Sequence, residues 1–138
     1  MAVKTYDPKS VVVTVGGYPI SGFADGTFIT VERSSDAFTK VVGADGEVSR
    51  AKSADRSGSV TFTLMQTSNS NAVLSAFAIA DENTGAGVVP ILIKEGNSIV
   101  FAAEGWVRKL PNAEWGKEVG NREWVFDCAV IQMEHGGN

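Results

Sequence analysis

Nucleophilic catalysis needs a cysteine, serine or similar group beside a general base, and this chain has one cysteine and one histidine, Cys128 and His135. A catalytic pair must bring its nucleophile and base within hydrogen-bond reach. Cys128 lies in an apolar, strand-like run, whereas His135 lies in a polar tail that ends in Gly136-Gly137-Asn138. The two residues are too close along the chain for His135 to fold back onto Cys128, so we interpret Cys128 as a buried thiol and His135 as a solvated side chain.

Metal and phosphate sites are no better supported by the pattern of residues. No group of histidines and cysteines has the spacing of metal ligands, and Asp45-Gly46 lacks the series of acidic ligands that a calcium loop requires. Gly85-Ala86-Gly87 follows a helical pattern rather than a strand, and it lacks the lysine and hydroxyl residue of a phosphate loop. The sequence therefore predicts no cofactor, no metal and no enzymatic activity.

Three tryptophans, Trp106, Trp115 and Trp124, are the remaining candidates for binding chemistry. Trp106 and Trp124 lie in apolar strand-like runs, which favours a place in the core or in an interface. Trp115 lies in the loop Leu110–Gly120, where an exposed tryptophan commonly marks a contact with a partner.

Length and charge limit the function classes. The 138 residues predict a single domain spanning residues 1–138, and the net charge of −4 argues against a nucleic-acid-binding surface. No apolar run approaches the roughly 20 residues that span a bilayer. The first ten residues, MAVKTYDPKS, lack the apolar segment of an export signal, so we expect the protein to stay where it is made.

Alternation of apolar and polar residues predicts a mainly β fold. The clearest alternation runs over Ser59–Gln66, and Thr27–Arg33 shows it as well. The residues predicted to share the inward faces of these two strands are Ile29, Val31, Val60, Phe62 and Leu64. The polar residues predicted on the opposite faces include Thr30, Glu32, Thr61 and Thr63.

One helix is predicted at residues 68–83, with Ser68 or Ser70 as its cap and Gly85 just beyond its end. Its apolar face is predicted to consist of Val73, Phe77 and Ala80. The other predicted strands are Val11–Val15, Tyr18–Phe23, Val88–Glu95, Ser98–Lys109 and Arg122–Met133. In the last strand Trp124, Phe126, Cys128 and Val130 are expected to share a face, and in Ser98–Lys109 the corresponding group is Ile99, Phe101, Ala103 and Val107.

A charged segment, residues 34–58, separates the two alternating strands. It carries four acidic and four basic residues: Asp36, Asp45, Glu47, Asp55, Lys40, Arg50, Lys52 and Arg56. Its middle, Phe38–Lys52, reads as two extended arms around the turn Gly43–Gly46. Because an isolated two-stranded hairpin is marginal in water, this one either folds back onto its own domain or completes its folding on a neighbouring subunit.

The runs Ile29–Arg33, Phe38–Arg50, Asp55–Gly58 and Val60–Leu64, in this order and spacing, resemble the tail tube proteins of contractile-tailed bacteriophages. The resemblance extends over essentially the whole chain. It implies a β-sandwich or barrel-like subunit with one flanking α-helix and a long protruding hairpin. It further implies that such subunits form hexameric rings, which stack into a hollow tube for DNA passage.

The resemblance also implies roles for particular residues. The hairpin 36–56 would be the arm between rings, with its contacts made by Phe38, Lys40, Val42, Asp45, Glu47, Val48, Arg50 and Lys52. The flanking strands would line the lumen through Thr30, Glu32, Thr61 and Thr63, although alternation alone does not fix which face this is. An acidic lumen would repel DNA phosphates and so let DNA pass without being held.

The partners implied are further copies of the chain, sheath, tape-measure and baseplate or terminator proteins, and DNA in transit, with no membrane. The protein would belong to the virion tail and assemble in the host cytoplasm. Two other functions remain open at this point. One is a tube subunit of a contractile bacteriocin or secretion machine without DNA transit, and the other is a monomeric β-sandwich binding module with Trp115 on its ligand face.

Overall fold

The computed structural model describes residues 3–137, which contain ten strands, one α-helix and a short 3₁₀ turn at Pro8–Ser10. The elements are β1 (Val12–Val15), β2 (Tyr18–Pro19), β3 (Ile29–Arg33), β4 (Phe38–Val42), β5 (Val48–Lys52), β6 (Gly58–Met65), α1 (Ser70–Thr84), β7 (Val89–Glu95), β8 (Ser98–Lys109), β9 (Asn121–Cys128) and β10 (Gln132–Glu134). The predicted fold class, mainly β with one flanking helix and a long hairpin, is confirmed. The assignment of residues 1–138 to one domain stays a prediction, and residues 1, 2 and 138 lie outside the described part.

Eight strands form one antiparallel sheet in the order β2-β1-β7-β8-β9-β6-β3, with β10 paired to β8. The long strand β8 joins the two halves of this sheet, because its first residues pair with β10 and its last residues pair with β9. The buried side chains of β1 and β7 belong to the same core cluster as those of β6 and β9. The sheet therefore curls so that its two halves enclose one core, as the sandwich or barrel-like prediction requires.

The centre of the core follows the predicted alternation in β6. Val60, Phe62 and Leu64 are completely buried, and the Phe62 and Phe126 rings meet edge to face at 5.7 Å between centroids. Burying side chains of this size stabilises the fold by about 1.5–3 kcal/mol each. The inward prediction for β6 is confirmed.

The helix begins later than predicted, at Ser70, and it turns a different face to the core. Leu74 and Ala78 are buried, whereas Val73 and Phe77 are half-buried at the side, so the predicted face was wrong by one position. Gly85 ends the helix as predicted, because its φ of 73° is left-handed and its N–H donates to the Asp81 carbonyl at 2.8 Å.

A buried polar residue, Asn71, explains this rotation. Its side-chain amide donates to the carbonyls of Met65 at 3.0 Å and Ser68 at 3.1 Å. Its Oδ1 accepts a hydrogen bond from the Trp124 indole at 2.9 Å. A search for apolar periodicity passes over an asparagine, although this one occupies the inward face.

Two strand predictions were wrong because the backbone departs from regular alternation. The last strand is interrupted between β9 and β10, so Val130, which is 41% exposed, does not share the buried face of Trp124 and Phe126 as predicted, and Ile131 is fully buried. In β8 the register shifts, so Val107 packs against the core while Ile99 and Phe101 lie on the exposed face. A third prediction, the strand Tyr18–Phe23, is reduced to the two residues of β2. Within residues 3–137 no helix is long and apolar enough to cross a membrane.

Candidate assembly surfaces

The charged hairpin is a separate two-stranded sheet. Strands β4 and β5 pair from Phe38 opposite Lys52 to Val42 opposite Val48, and in the described part of the chain neither strand joins the main sheet. The tip is closed by hydrogen bonds from the Gly43 N–H to the Glu47 carbonyl at 2.7 Å and from the Gly46 N–H to the Gly43 carbonyl at 2.9 Å. All residues from 34 to 52 are exposed, so the hairpin protrudes and does not fold back onto its own core.

The base of the hairpin is held by hydrogen bonds around one carboxylate. The Ser35 hydroxyl donates to Asp55 Oδ2 at 2.7 Å, and the Ser57 hydroxyl and N–H donate to Asp55 Oδ1 at 2.5 and 3.0 Å. The hydrogen bonds from Ser57, with that from Ser35, lower the pKa of Asp55 to about 2. These hydrogen bonds therefore fix the backbone at the base of the hairpin, where it leaves the sheet.

The register divides the hairpin into two unlike faces, because directly opposed residues of an antiparallel pair share a face. One face, here called the basic face, consists of Phe38, Lys40, Val42, Val48, Arg50 and Lys52. The other consists of Thr39, Val41, Ser49 and Ala51. The basic face holds six of the eight predicted hairpin residues, and Asp45 and Glu47 lie at the tip.

The concentration of three cations on one face is a feature that the sequence analysis missed, since the segment is neutral overall. Arg50 also lies over the Phe38 ring, with its guanidinium carbon 4.2 Å from the ring centroid. This contact fixes the aromatic ring on the basic side of the hairpin.

The four lumen candidates lie together on the outer face of the main sheet. Thr30 pairs with Thr61 between β3 and β6, and Thr63 pairs with Glu123 on β9. Glu32 lies beside Ser59 on the same face, opposite the core. We call this surface the polar sheet face; it consists of Thr30, Glu32, Ser59, Thr61, Thr63, Glu123, Val125 and Asp127, with Trp106, Arg108 and Lys109 on β8. Whether it lines a lumen stays a prediction.

One cation on the polar sheet face, Arg108, was not found from the sequence. Its Nε and one Nη donate to Asp127 Oδ1 at 2.9 and 2.5 Å. The hydrogen bond and the attraction of that carboxylate raise the pKa of Arg108. Because this pair is internally neutral and Lys109 lies opposite Val125 on the same face, Glu32, Glu123 and Lys109 leave the face with a net charge of −1.

The residues considered for chemistry are not brought together. Cys128 is buried in the core, and burial, with a smaller effect of Asp127, raises the pKa of its thiol to about 11. His135 is exposed near the end of the chain. Across residues 3–137 no cluster of histidine, cysteine, aspartate and glutamate has a metal-binding arrangement.

The three tryptophans occupy three different environments. Trp124 is in the core, with its indole N–H bonded to Asn71. Trp106 is half-buried on the polar sheet face. Trp115 is 76% exposed in the loop between β8 and β9.

Comparison with known proteins identifies the family to which this chain is similar. The family model described as bacteriophage PhiTE tail tube protein matches residues 7–136. Structural protein ORF10 of Pseudomonas phage KPP10 is 31% identical over 144 residues, covering 97% of this chain and 83% of ORF10.

Solved structures share the fold at low sequence identity. The anti-feeding prophage tube-terminating cap aligns with a TM-score of 0.69 and 12% identity, covering 99% of this chain and 95% of that one. The sheath/tube terminator of the extracellular contractile injection system PVC, in its extended state, aligns with a TM-score of 0.67 and 13% identity, covering 97% and 100%. The PVC sheath-tube complex aligns with a TM-score of 0.62 and 13% identity, covering 94% and 91%. From the match over residues 7–136 and the phage relative, the chain belongs to the bacteriophage PhiTE tail tube protein family, a family of structural proteins rather than enzymes.

Proposed function

We propose that this chain forms the hollow inner tube of a contractile phage tail, as hexameric rings that stack along one axis and conduct DNA into the host. The observation that carries the proposal is the exposed hairpin. Phe38, Val41, Val42 and Val48 are apolar and exposed, and Val41 reaches 67%. Exposed apolar residues on a marginal two-stranded hairpin are expected to be covered by another molecule, and further copies of the chain are the partner that family membership supports.

Ring formation requires a head-to-tail contact between sides of neighbouring subunits. The sheet ends in edge strands, β3 on one side and the short β2 on the other. Edge strands offer backbone groups for strand addition between copies. A contact of this kind that closes by rotation gives a ring, and the hairpins then connect one ring to the next.

The polar sheet face is the surface proposed to line the channel. Its two carboxylates Glu32 and Glu123, less the one positive charge of Lys109, give a charge of −1 for each copy and −6 for a ring of six. An excess of fixed negative charge repels DNA phosphates, and pairing of Arg108 with Asp127 leaves Lys109 as the one cation of this face without a carboxylate across the register. DNA would therefore pass along the channel without being held.

The wider partners follow from the same role. A tube of this kind would contact sheath, tape-measure and baseplate or terminator proteins, and would assemble in the host cytoplasm as part of the virion tail. The phage source of both the family and the ORF10 relative supports a DNA-conducting tube over a bacteriocin or secretion tube. A monomeric binding module with Trp115 on its ligand face is less well supported, because it leaves the apolar hairpin without a partner.

Negative-stain electron microscopy of the concentrated protein, with a measurement of particle size in solution, tests the proposal. The full chain should form rings or hollow tubes. A variant in which two glycines replace residues 37–53 should stay a folded monomer, because those residues contribute nothing to the core cluster. Glu82→Lys, an exposed change on the helix, is the matched control and should form tubes normally. A full chain that remains monomeric at every concentration, even with assembled baseplates as nuclei, would contradict the proposal.

A further inference from the structure

We infer that the hairpin's basic face binds the 110–120 loop of a second copy, with Trp115 at the centre of the contact. The inference rests on the proposed stacking of copies and specifies its acceptor surface. In this section the 110–120 loop means the residues between β8 and β9 together with Leu110 and Gly120 at its ends.

The loop exposes large apolar side chains that its own domain leaves uncovered. Trp115 is 76% exposed and Val119 is 64% exposed, and all residues from 112 to 121 are exposed. The backbone is nevertheless fixed at one end, where Gln66 N–H donates to the Gly120 carbonyl at 2.9 Å and Gln66 Oε1 accepts from the Gly120 N–H at 3.1 Å. An exposed tryptophan on an anchored loop is the kind of residue that dominates binding energy in interfaces.

The hairpin and the loop lie at opposite ends of the same strands. Strand β6 begins at Gly58, just after the hairpin, and ends at Met65, which pairs with Asn121 at the end of the loop. Its eight residues span about 25 Å at the usual rise of a strand. A translation of one copy along the strand direction therefore brings its hairpin to the loop of the next, and repetition of this contact builds a filament.

The two surfaces also match in charge and chemistry. The basic face presents three cations, Lys40, Arg50 and Lys52, around an apolar centre. The loop presents Glu114 and Glu118 on either side of Trp115, with Lys117 as its one cation. Arginine and lysine are attracted both to carboxylates and to the face of an indole ring.

A shallow groove beside the loop adds a place for the hairpin's aromatic residue. Its lining combines apolar side chains with two carboxylates, one cation and two amides: Leu110, Pro111, Val125, Glu114, Glu123, Lys109, Asn112 and Asn121. Phe38, held against Arg50 on the basic face, has the matching combination of an apolar ring and a cation.

The main competing acceptor is the exposed apolar face of β1, β7 and β8, which carries Val12, Leu92, Ile99 and Phe101. That face has both Lys94 and Glu134 beside Ile99, so it offers no excess of negative charge to a basic partner. It also lies away from the end opposite the hairpin, because Ile99 and Phe101 precede Gly105, which is level with Cys128 and Gly58 at the hairpin end of the sheet. The charge match and the position both favour the 110–120 loop.

Photo-crosslinking in assembled tubes identifies the acceptor directly. With p-benzoylphenylalanine in place of Trp115, cross-linked peptides should contain residues 38–52 of another copy; the same probe in place of Glu82 should not give them. Cross-links from position 115 to β1, β7 or β8, or to any other segment, would overturn the inference while leaving the tube intact. A chain that forms no tubes in any setting would contradict the proposed function and this inference together.

A charge exchange provides the quantitative test. Glu114→Lys with Glu118→Lys should raise the critical concentration for tube formation about tenfold, since two attractive contacts become repulsive. Adding Lys40→Glu and Arg50→Glu to the same chain should restore it to within about threefold of the original value. Glu82→Lys is again the matched control. If the loop variant polymerises normally, or the exchange gives no rescue while the unmodified chain still forms tubes, the acceptor is elsewhere.

Discussion

Two antiparallel strand pairs of this molecule have the same kind of backbone pairing and opposite environments. The pair β6–β9 places Val60 opposite Phe126 and Phe62 opposite Trp124, all buried. The pair β4–β5 runs in unbroken register from Phe38 to Val42, and every one of its side chains is exposed. Backbone hydrogen bonds alone give a hairpin only marginal stability in water, so side-chain burial makes the difference. The first pair supports the fold of one chain, whereas the second presents a surface to another.

The hairpin has nonetheless kept an apolar composition that a purely solvated arm does not need. Its valines and phenylalanine alternate with cations that the register gathers on one face. The same combination of exposed apolar residues and charge recurs, with the opposite sign, at the far end of the sheet around Trp115. The comparison thus separates residues that hold the subunit together from residues that connect subunits.

The largest expected effect comes from a matched pair of phenylalanine substitutions. Phe62→Ala should lower the free energy of unfolding by about 3–5 kcal/mol, because it leaves a cavity at a completely buried site. Phe38→Ala should lower it by no more than about 0.5 kcal/mol, since the ring loses one exposed contact with Arg50. Chemical denaturation of the monomeric proteins measures both.

The hairpin substitution, which has the smaller effect on folding, should have a clear effect on tube assembly. Phe38→Ala should impair tube formation at concentrations where its monomer is fully folded. If Phe38→Ala destabilised the monomer as much as Phe62→Ala, the hairpin would be part of the core and the comparison would fail.

The next effect concerns the polar contact inside the core. Asn71→Ala should cost about 1–3 kcal/mol of unfolding free energy, because the Trp124 indole N–H loses its partner and the carbonyls of Met65 and Ser68 each lose one hydrogen bond. Asn69→Ala is the matched control two residues earlier; that side chain is exposed and makes no capping hydrogen bond, so about 0.5 kcal/mol is the most it should lose. Equal losses in the two variants would show that Asn71 adds nothing by its burial.

Much of the core could be predicted from the sequence, because strict alternation in β6 leaves one possible inward face. Where both faces are apolar, as in β8, alternation cannot tell which faces the core, and the register shift between Ala102 and Gly105 is invisible in the sequence. The helix face was missed for a different reason: Asn71 is polar and buried, and its partner Trp124 lies 53 residues away.

The candidate interface, too, could be predicted from the sequence only in part. The hairpin, its turn and its residues were predicted from turn chemistry and strand propensity. Its basic face was missed because Lys40 and Arg50 are distant in sequence and become neighbours only when the register is known. That the hairpin and Trp115 lie at opposite ends of the sheet likewise becomes clear only from the pairing of β6 with β9.

The smallest effect concerns Asp55, at the base of the hairpin where it meets the main sheet. Asp55 has its pKa lowered from 3.8 to about 2 by hydrogen bonds from Ser57 and Ser35. Because the folded pKa is depressed, the contribution of this carboxylate is complete above pH 3.8 and is lost as the pH falls through about 2. An NMR titration of the Asp55 carboxyl should place its midpoint near 2, and Ser57→Ala should raise it towards 3.8. A midpoint near 3.8 in the unmodified protein would mean that these hydrogen bonds do not hold the base of the hairpin.

Hydrogen exchange of the backbone amides, compared between monomer and assembled tubes, tests the central claim most directly. In the monomer, the amides of β4 and β5 should exchange much faster than those of β6 and β9, since no buried side chains hold the hairpin closed. In tubes, the hairpin amides should become protected while those of β6 and β9 change little. Equal protection of both pairs in the monomer, or hairpin amides that stay unprotected in tubes, would contradict the account.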